Sequence, residues 1–304
     1  MRASFGLPTH RVDVPSLVTA TAIARLSAAA EEAGFDAVYV TEHPMPGDEW
    51  LASGGHHALD PFVALSFAAA ATSRIRLLTN LVIPAYRNPF LLAKSVASLD
   101  HLSGGRVVLG IGAGYLHPEF EALGVDFDER NDLTDEAVRA MRAAWTGASV
   151  AMEGTHWRAT GNTALPGAAP PIWIGGNSRR AMRRAVELAD GWTPMMASAR
   201  FSARVHTGPI ASVADLAARI EEAKQYGASI GRTAPLEVAF NPTGGMGVAT
   251  TAAEAGARLV EHAAELAAAG VTYLNAGAPG SSLDEVLRGI ASYGEHVVPA
   301  LAKL

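Results

Sequence analysis

The chain has 304 residues, a formal net charge of −6 and 49% hydrophobic residues, with no cysteine. Lacking cysteine, it can carry no disulfide framework, thiolate nucleophile or cysteine-ligated metal, and its mild acidity argues against a nucleic-acid partner. The length admits one or two domains, and the apolar content a large buried core.

Short apolar runs alternate with amphipathic ones along the whole chain. Ala3–Leu7 is the first candidate strand. A helical pattern follows over Leu17–Ala33 and is closed by Gly34 as a C-terminal cap. Ala37–Thr41 and Ile75–Val82 are the next candidate strands. Asn88-Pro89 then starts a helix, because proline's fixed φ suits the first turn. Leu91, Leu92, Val96 and Leu99 give that helix an apolar stripe, and Ser103-Gly104-Gly105 stops it. Arg106–Ile111 is an apolar run fit for a buried parallel strand. Ile172–Ile174, Gly191–Pro194, Leu236–Phe240 and Thr272–Ala276 complete the strands, and a helix over Ala253–Ala269 is closed by Gly270. Two stretches break the rhythm. Residues 147–171, rich in glycine and proline, read as an inserted hairpin and loop; 197–209 carry Arg200, Arg204 and His206. The alternation predicts a parallel α/β architecture, without separating a closed barrel from a doubly wound sheet.

The alanine-rich tracts around Ala28 and Ala68 are too short and too interrupted to span a bilayer. Met1 leads straight into a strand-like segment, without the n-region and apolar core of a signal peptide. The expectation is a cytoplasmic protein with no membrane partner.

In a parallel barrel the site lies at the C-terminal strand ends, so the polar groups after each apolar run are the candidates. Glu42 and His43 follow the second strand, Asn80 sits late in the third, and Tyr115 follows the fourth. Gly175-Gly176-Asn177-Ser178 follows the fifth, and Asn241 and Asn275 stand at the ends of the last two. His43 is the best catalytic candidate, since imidazole is readily tuned to exchange a proton near neutral pH; the alternative is a loop His packed under the rim. The glycine turn and a Ser178 or Asn177 cap offer an anion site at a helix N-terminus. Arg179, Arg180, Arg183 and Arg184 oppose that helix's dipole, either awaiting an anion or forming a solvated basic face. His56-His57 is a weak metal candidate, since neighbours in sequence lack a third partner.

The run Arg87–Gly114, together with Thr41-Glu42-His43, Asn80–Pro84 followed by Arg87-Asn88-Pro89, and Gly175–Ser178 with Ala189–Trp192, resembles the bacterial-luciferase-like superfamily of flavin- and deazaflavin-dependent oxidoreductases. The resemblance covers most of the chain. It implies a (β/α)8 TIM barrel with insertions, a single domain over 1–304, and a homodimer acting on a small molecule. It also implies a non-proline cis peptide at Asn80-Leu81 against one face of the cofactor ring. Ala113 and Gly114 would line that ring, with Gly175, Gly176, Asn177, Ser178, Arg179 and Arg180 at its phosphate and tail. His43, Glu42 and Tyr115 would be catalytic.

The segment Gly112–Tyr115 followed by Glu119–Gly124 is similar to members assigned to the deazaflavin coenzyme F420, which favours an F420-dependent oxidoreductase. FMN is the alternative, implying a monooxygenase with a flavin reductase partner; a non-catalytic coenzyme carrier is a third reading. Sugar-phosphate dehydrogenases of the superfamily carry glutamate where this chain has Tyr115, and a tryptophan nearer the His motif than Trp50. A sugar phosphate is therefore not the expected substrate.

Overall fold

Parallel strands close into a barrel in the computed structural model, which describes residues 1–242 and 251–304. The strands are β1 (Arg2–Gly6), β2 (Ala37–Val40), β3 (Arg76–Thr79), β4 (Val107–Ile111), β5 (Ser149–Glu153) and β6 (Arg158–Thr163). They continue with β7 (Ile172–Gly175), β8 (Gly191–Thr193), β9 (Glu237–Phe240) and β10 (Tyr273–Ala276). β1, β2, β3, β4, β7, β8, β9 and β10 pair in that order, and β10 returns to β1 with Arg2 opposite Tyr273. β5 and β6 stand apart as the antiparallel hairpin expected within 147–171.

The helices are α1 (Ala20–Glu32), α2 (Asp48–Ala52), α3 (Pro61–Ala71), α4 (Pro89–Ser103), α5 (His117–Ala122) and α6 (Arg130–Trp145). After these come α7 (Arg179–Leu188), α8 (Ala199–Arg204), α9 (Val213–Ser229), α10 (Ala252–Ala269), α11 (Leu283–His296) and α12 (Val298–Leu301). Local chemistry sets their ends. Asn88 caps α4 by accepting from Phe90 N–H, with Pro89 at the first helical position, and Gly104 ends it in the left-handed region at φ 75°. The stretch 197–209 contributes α8. Third-strand pairing is shorter than the sequence run suggests: β3 ends at Thr79, a cis Asn80-Leu81 bond follows, and Val82 bridges to Ile111.

Period-two alternation divides the strand side chains between two cores. Val38, Leu77, Leu109, Ile172, Ile174 and Leu274 face the helices. Ala37, Leu78, Val108, Trp173, Ala239 and Tyr273 fill the barrel interior. Trp173 and Tyr273 meet edge to face at 5.0 Å near the strand starts and plug that end. The opposite end is lined by small residues at the strand tips, and the cleft opens there.

Candidate active site

A cleft of about 450 Å³ opens at the C-terminal strand ends. The candidates His43, Glu42, Tyr115, Asn80, Leu81, Ala113, Gly114, Gly175, Gly176, Ser178 and Arg180 all line it. Asn177 and Arg179 do not. The Asn177 side chain is buried inside its own loop, donating to Met195 and Gly208 carbonyls and accepting from Met195 N–H. Arg179 starts α7 on the outer side and pairs with Glu222 at 2.9 Å. Sequence position placed both beside the cleft; side-chain direction takes them away from it.

His43 is held by a residue that strand-end reasoning did not select. Its Nδ1 lies 3.3 Å from Oε2 of Glu119, in the first turn of α5. Glu119 is 1% exposed and also accepts from Met45 N–H at 3.2 Å and from the Tyr86 hydroxyl at 3.1 Å. A hydrogen on Nδ1 is the tautomer that this pairing favours, and it leaves Nε2 to meet a ligand. Pro118 marks the start of α5 but not the contact of Glu119 with His43. Burial, then Glu119, pushes the Tyr86 hydroxyl upward. Burial, then Glu119, raises Tyr115 to about 12.

Glu42 has a more structural setting. It accepts from Ile83 N–H at 2.7 Å and pairs with Arg87, tying the segment after β3 to the residues that lead into α4. Burial pushes its carboxyl up, against the pull of Arg87.

Rings gather around His43. Trp50 lies 4.5 Å away, His56 4.8 Å and Tyr115 6.2 Å. Trp50, distant in sequence, thus returns to the His motif in space. His56 packs between His43 and His10, and among the described residues no group of three or more His, Asp or Glu is arranged to hold a metal.

At the far end, Ser178 caps α7 by accepting from Ala181 N–H. Gly176 has φ 110°, a conformation that favours glycine. Thr207 Oγ1 accepts from Asn177 N–H at 2.8 Å and fixes the loop. Arg180 and Arg184 reach the cleft but pair with carboxylates of α6: Arg180 with Asp132 and Asp135, Arg184 with Asp135. Burial would raise the Asp135 carboxyl; the bonds and charges of Arg184 and Arg180 outweigh it and hold it low. Intramolecular carboxylates therefore relieve much of the charge conflict in α7.

The lining fits a planar heteroaromatic group. Leu81, Ala113 and Gly114 give a narrow wall of small and apolar groups. Asn275, 1% exposed at the floor, accepts from Ser4 through Oδ1, while its Nδ2 has no partner. A buried amide donor without a partner costs free energy unless a ligand acceptor meets it.

A closed parallel α/β barrel with a cleft at its C-terminal strand ends defines the class. The chain belongs to the luciferase-like monooxygenase family, whose model matches residues 1–289. An uncharacterized protein of Mycobacterium tuberculosis is 36% identical over 191 residues, 58% of this chain and 67% of that protein. The F420-dependent glucose-6-phosphate dehydrogenase of Nakamurella multipartita is 35% identical over 176 residues, 56% of this chain and 50% of the relative. The match thus spans about half of that enzyme's length. The oxygenating constituent of 3,6-diketocamphane monooxygenase from Pseudomonas putida, solved with FMN, superposes with a TM-score of 0.76 at 17% identity over 98% of each chain. That likeness shows the fold. No described helix is long and apolar enough to cross a membrane.

Proposed function

We propose that this protein is an oxidoreductase that passes a hydride between coenzyme F420 and an organic substrate, with His43 as the proton-transferring residue. The observation that carries the reading is one cleft with two chemically different ends. His43 rests on buried Glu119 at one end; Arg130, Arg180 and Arg184 line the other. When bound, the deazaflavin supplies the hydride chemistry. Leu81, Ala113 and Gly114 would border its ring, and Asn275 Nδ2 would donate to it. Gly175, Gly176 and Ser178, at the α7 N-terminus, would hold its phosphate beside Arg180. Glu119 fixes the His43 ring through Nδ1, so Nε2 gives or takes the substrate proton. Tyr115 stays protonated at neutral pH and would donate to the substrate oxygen. The relative named for F420 supports the choice of coenzyme.

One observation favours FMN as the second reading. Asp132 and Asp135 already engage Arg180 and Arg184, which leaves less positive charge for a polyanionic tail than for a single phosphate. Such an enzyme would be a monooxygenase served by a flavin reductase.

His43→Ala tests the catalytic role. It should lower F420-linked turnover by about 100-fold or more while coenzyme affinity stays unchanged. Undiminished turnover would remove His43 from the mechanism. Tight coenzyme binding without turnover by the unaltered protein, across alcohol and carbonyl substrates, would point to a carrier.

A further inference from the structure

A further depression, of about 480 Å³, lies against α6 and α7. Five guanidinium groups line it, those of Arg139, Arg179, Arg180, Arg183 and Arg184, with two carboxylates, Asp135 and Glu187. The whole chain carries a net charge of −6, so this concentration of cations is local. Arg180 and Arg184 line both the depression and the cleft, which makes the two neighbours across these side chains.

The cations differ in what they already bind. Arg184 is buried against Asp135 and Asn131, and Arg179 pairs with Glu222. Arg180 meets Asp132 and Asp135 through Nη2 alone, so Nη1 and Nε keep their donors. Arg139 and Arg183 are exposed, and no described carboxylate lies within ion-pair distance of either. The Arg183 guanidinium lies over the Tyr226 ring, 5.0 Å from its centroid. A guanidinium stacked through its face is held in place while its in-plane N–H groups stay open to a carboxylate. Arg183 also follows Arg179 and Arg180 by four and three residues on one helix, a spacing at which like charges repel.

We infer that this depression receives the oligoglutamate tail of the coenzyme, which leaves the cleft past Arg180 and lays its carboxylates along Arg183 and Arg139. This rests on the F420 reading above. Between Arg180 and Glu187 the helix rises about 10 Å, more than a single phosphate needs. FMN ends at its phosphate and would leave Arg139 and Arg183 unused.

The test compares three probes on the purified protein by fluorescence quenching: F420 with its γ-glutamyl tail, the form trimmed to its phospholactyl group, and the phosphate-free deazaflavin alcohol. The tailed form should bind about tenfold more tightly than the trimmed one at low salt, and the gap should close as ionic strength rises. Arg139→Gln combined with Arg183→Gln should abolish the gap and leave the trimmed form's affinity unchanged, with a thermal melt to show that the variant is folded. Each substitution alone should remove part of it. Equal binding of the tailed and trimmed forms would overturn the inference, as would a gap that the double variant leaves intact. Absence of binding by all three probes would instead refute the F420 reading, and the inference with it.

Discussion

His56 stands between two other imidazoles, His43 at 4.8 Å and His10 at 5.4 Å. Burial first, then the charges of His43, His10 and His57, lowers its pKa from 6.5 to about 4. The sign of the linkage follows. Between pH 6.5 and about 4 the unfolded chain takes up a proton at His56 that the folded chain refuses, so stability falls as pH falls through that window. His56→Gln should lose less of its melting temperature between pH 7 and pH 4 than the unaltered protein does. Parallel curves for the two would show that His56 carries no such linkage. At this scale the sequence was partly readable. His43, Glu42 and Tyr115 stand directly after apolar runs, and strand-end logic finds them. Glu119 lies 76 residues from His43, on a short helix that only folding brings underneath, and no local pattern marks it as the partner. Asn177 had the right composition for a ligand contact, yet its amide closes its own loop.

At the scale of elements, helix α7 shows where local reasoning about charge stops. Its arginines look like cations awaiting an anion because their partners belong to other helices. Asp132 and Asp135 come from α6 and Glu222 from α9. Arg184 is only 4% exposed, so its pairing with Asp135 is the consequential one. Asp135→Asn would leave a buried guanidinium short of its counter-charge, and breaking such pairs costs about 3 kcal/mol or more. Denaturant unfolding should show a loss of that order; a change below about 0.5 kcal/mol would mean that Asn131, which also bonds Arg184, carries the site alone. The hairpin β5–β6, by contrast, was legible, since glycines and prolines bracket short polar strands. What the composition does not reveal is its tether: Glu136 on α6 accepts from His156 and Trp157 N–H and meets the His156 ring at 2.8 Å.

For the whole molecule the decisive event is closure. Alternating strands and helices were plain in the chain, but pairing of β1 with β10 joins residues about 270 apart and has no local signature. Closure also requires close backbone approach at particular positions. A Cβ on Gly110 would stand 2.0 Å from the Thr79 carbonyl oxygen and 3.2 Å from Leu81, at the junction of β3, β4 and the cleft floor. Backbone cannot yield there as a flexible side chain would. Gly110→Ala should therefore destabilise the barrel by about 3 kcal/mol and weaken coenzyme binding together with it; a stable variant with intact binding would show that the strand tips are more compliant than their packing implies.

The reading of the cleft as an F420 site is tested most directly by titrating the purified protein with F420 and FMN in parallel, following fluorescence quenching at several ionic strengths. The account predicts tight F420 binding that weakens with salt, through Arg180 and the α7 N-terminus, and weak FMN binding. Tight FMN binding with little affinity for F420 would contradict it and make the flavin monooxygenase reading the right one.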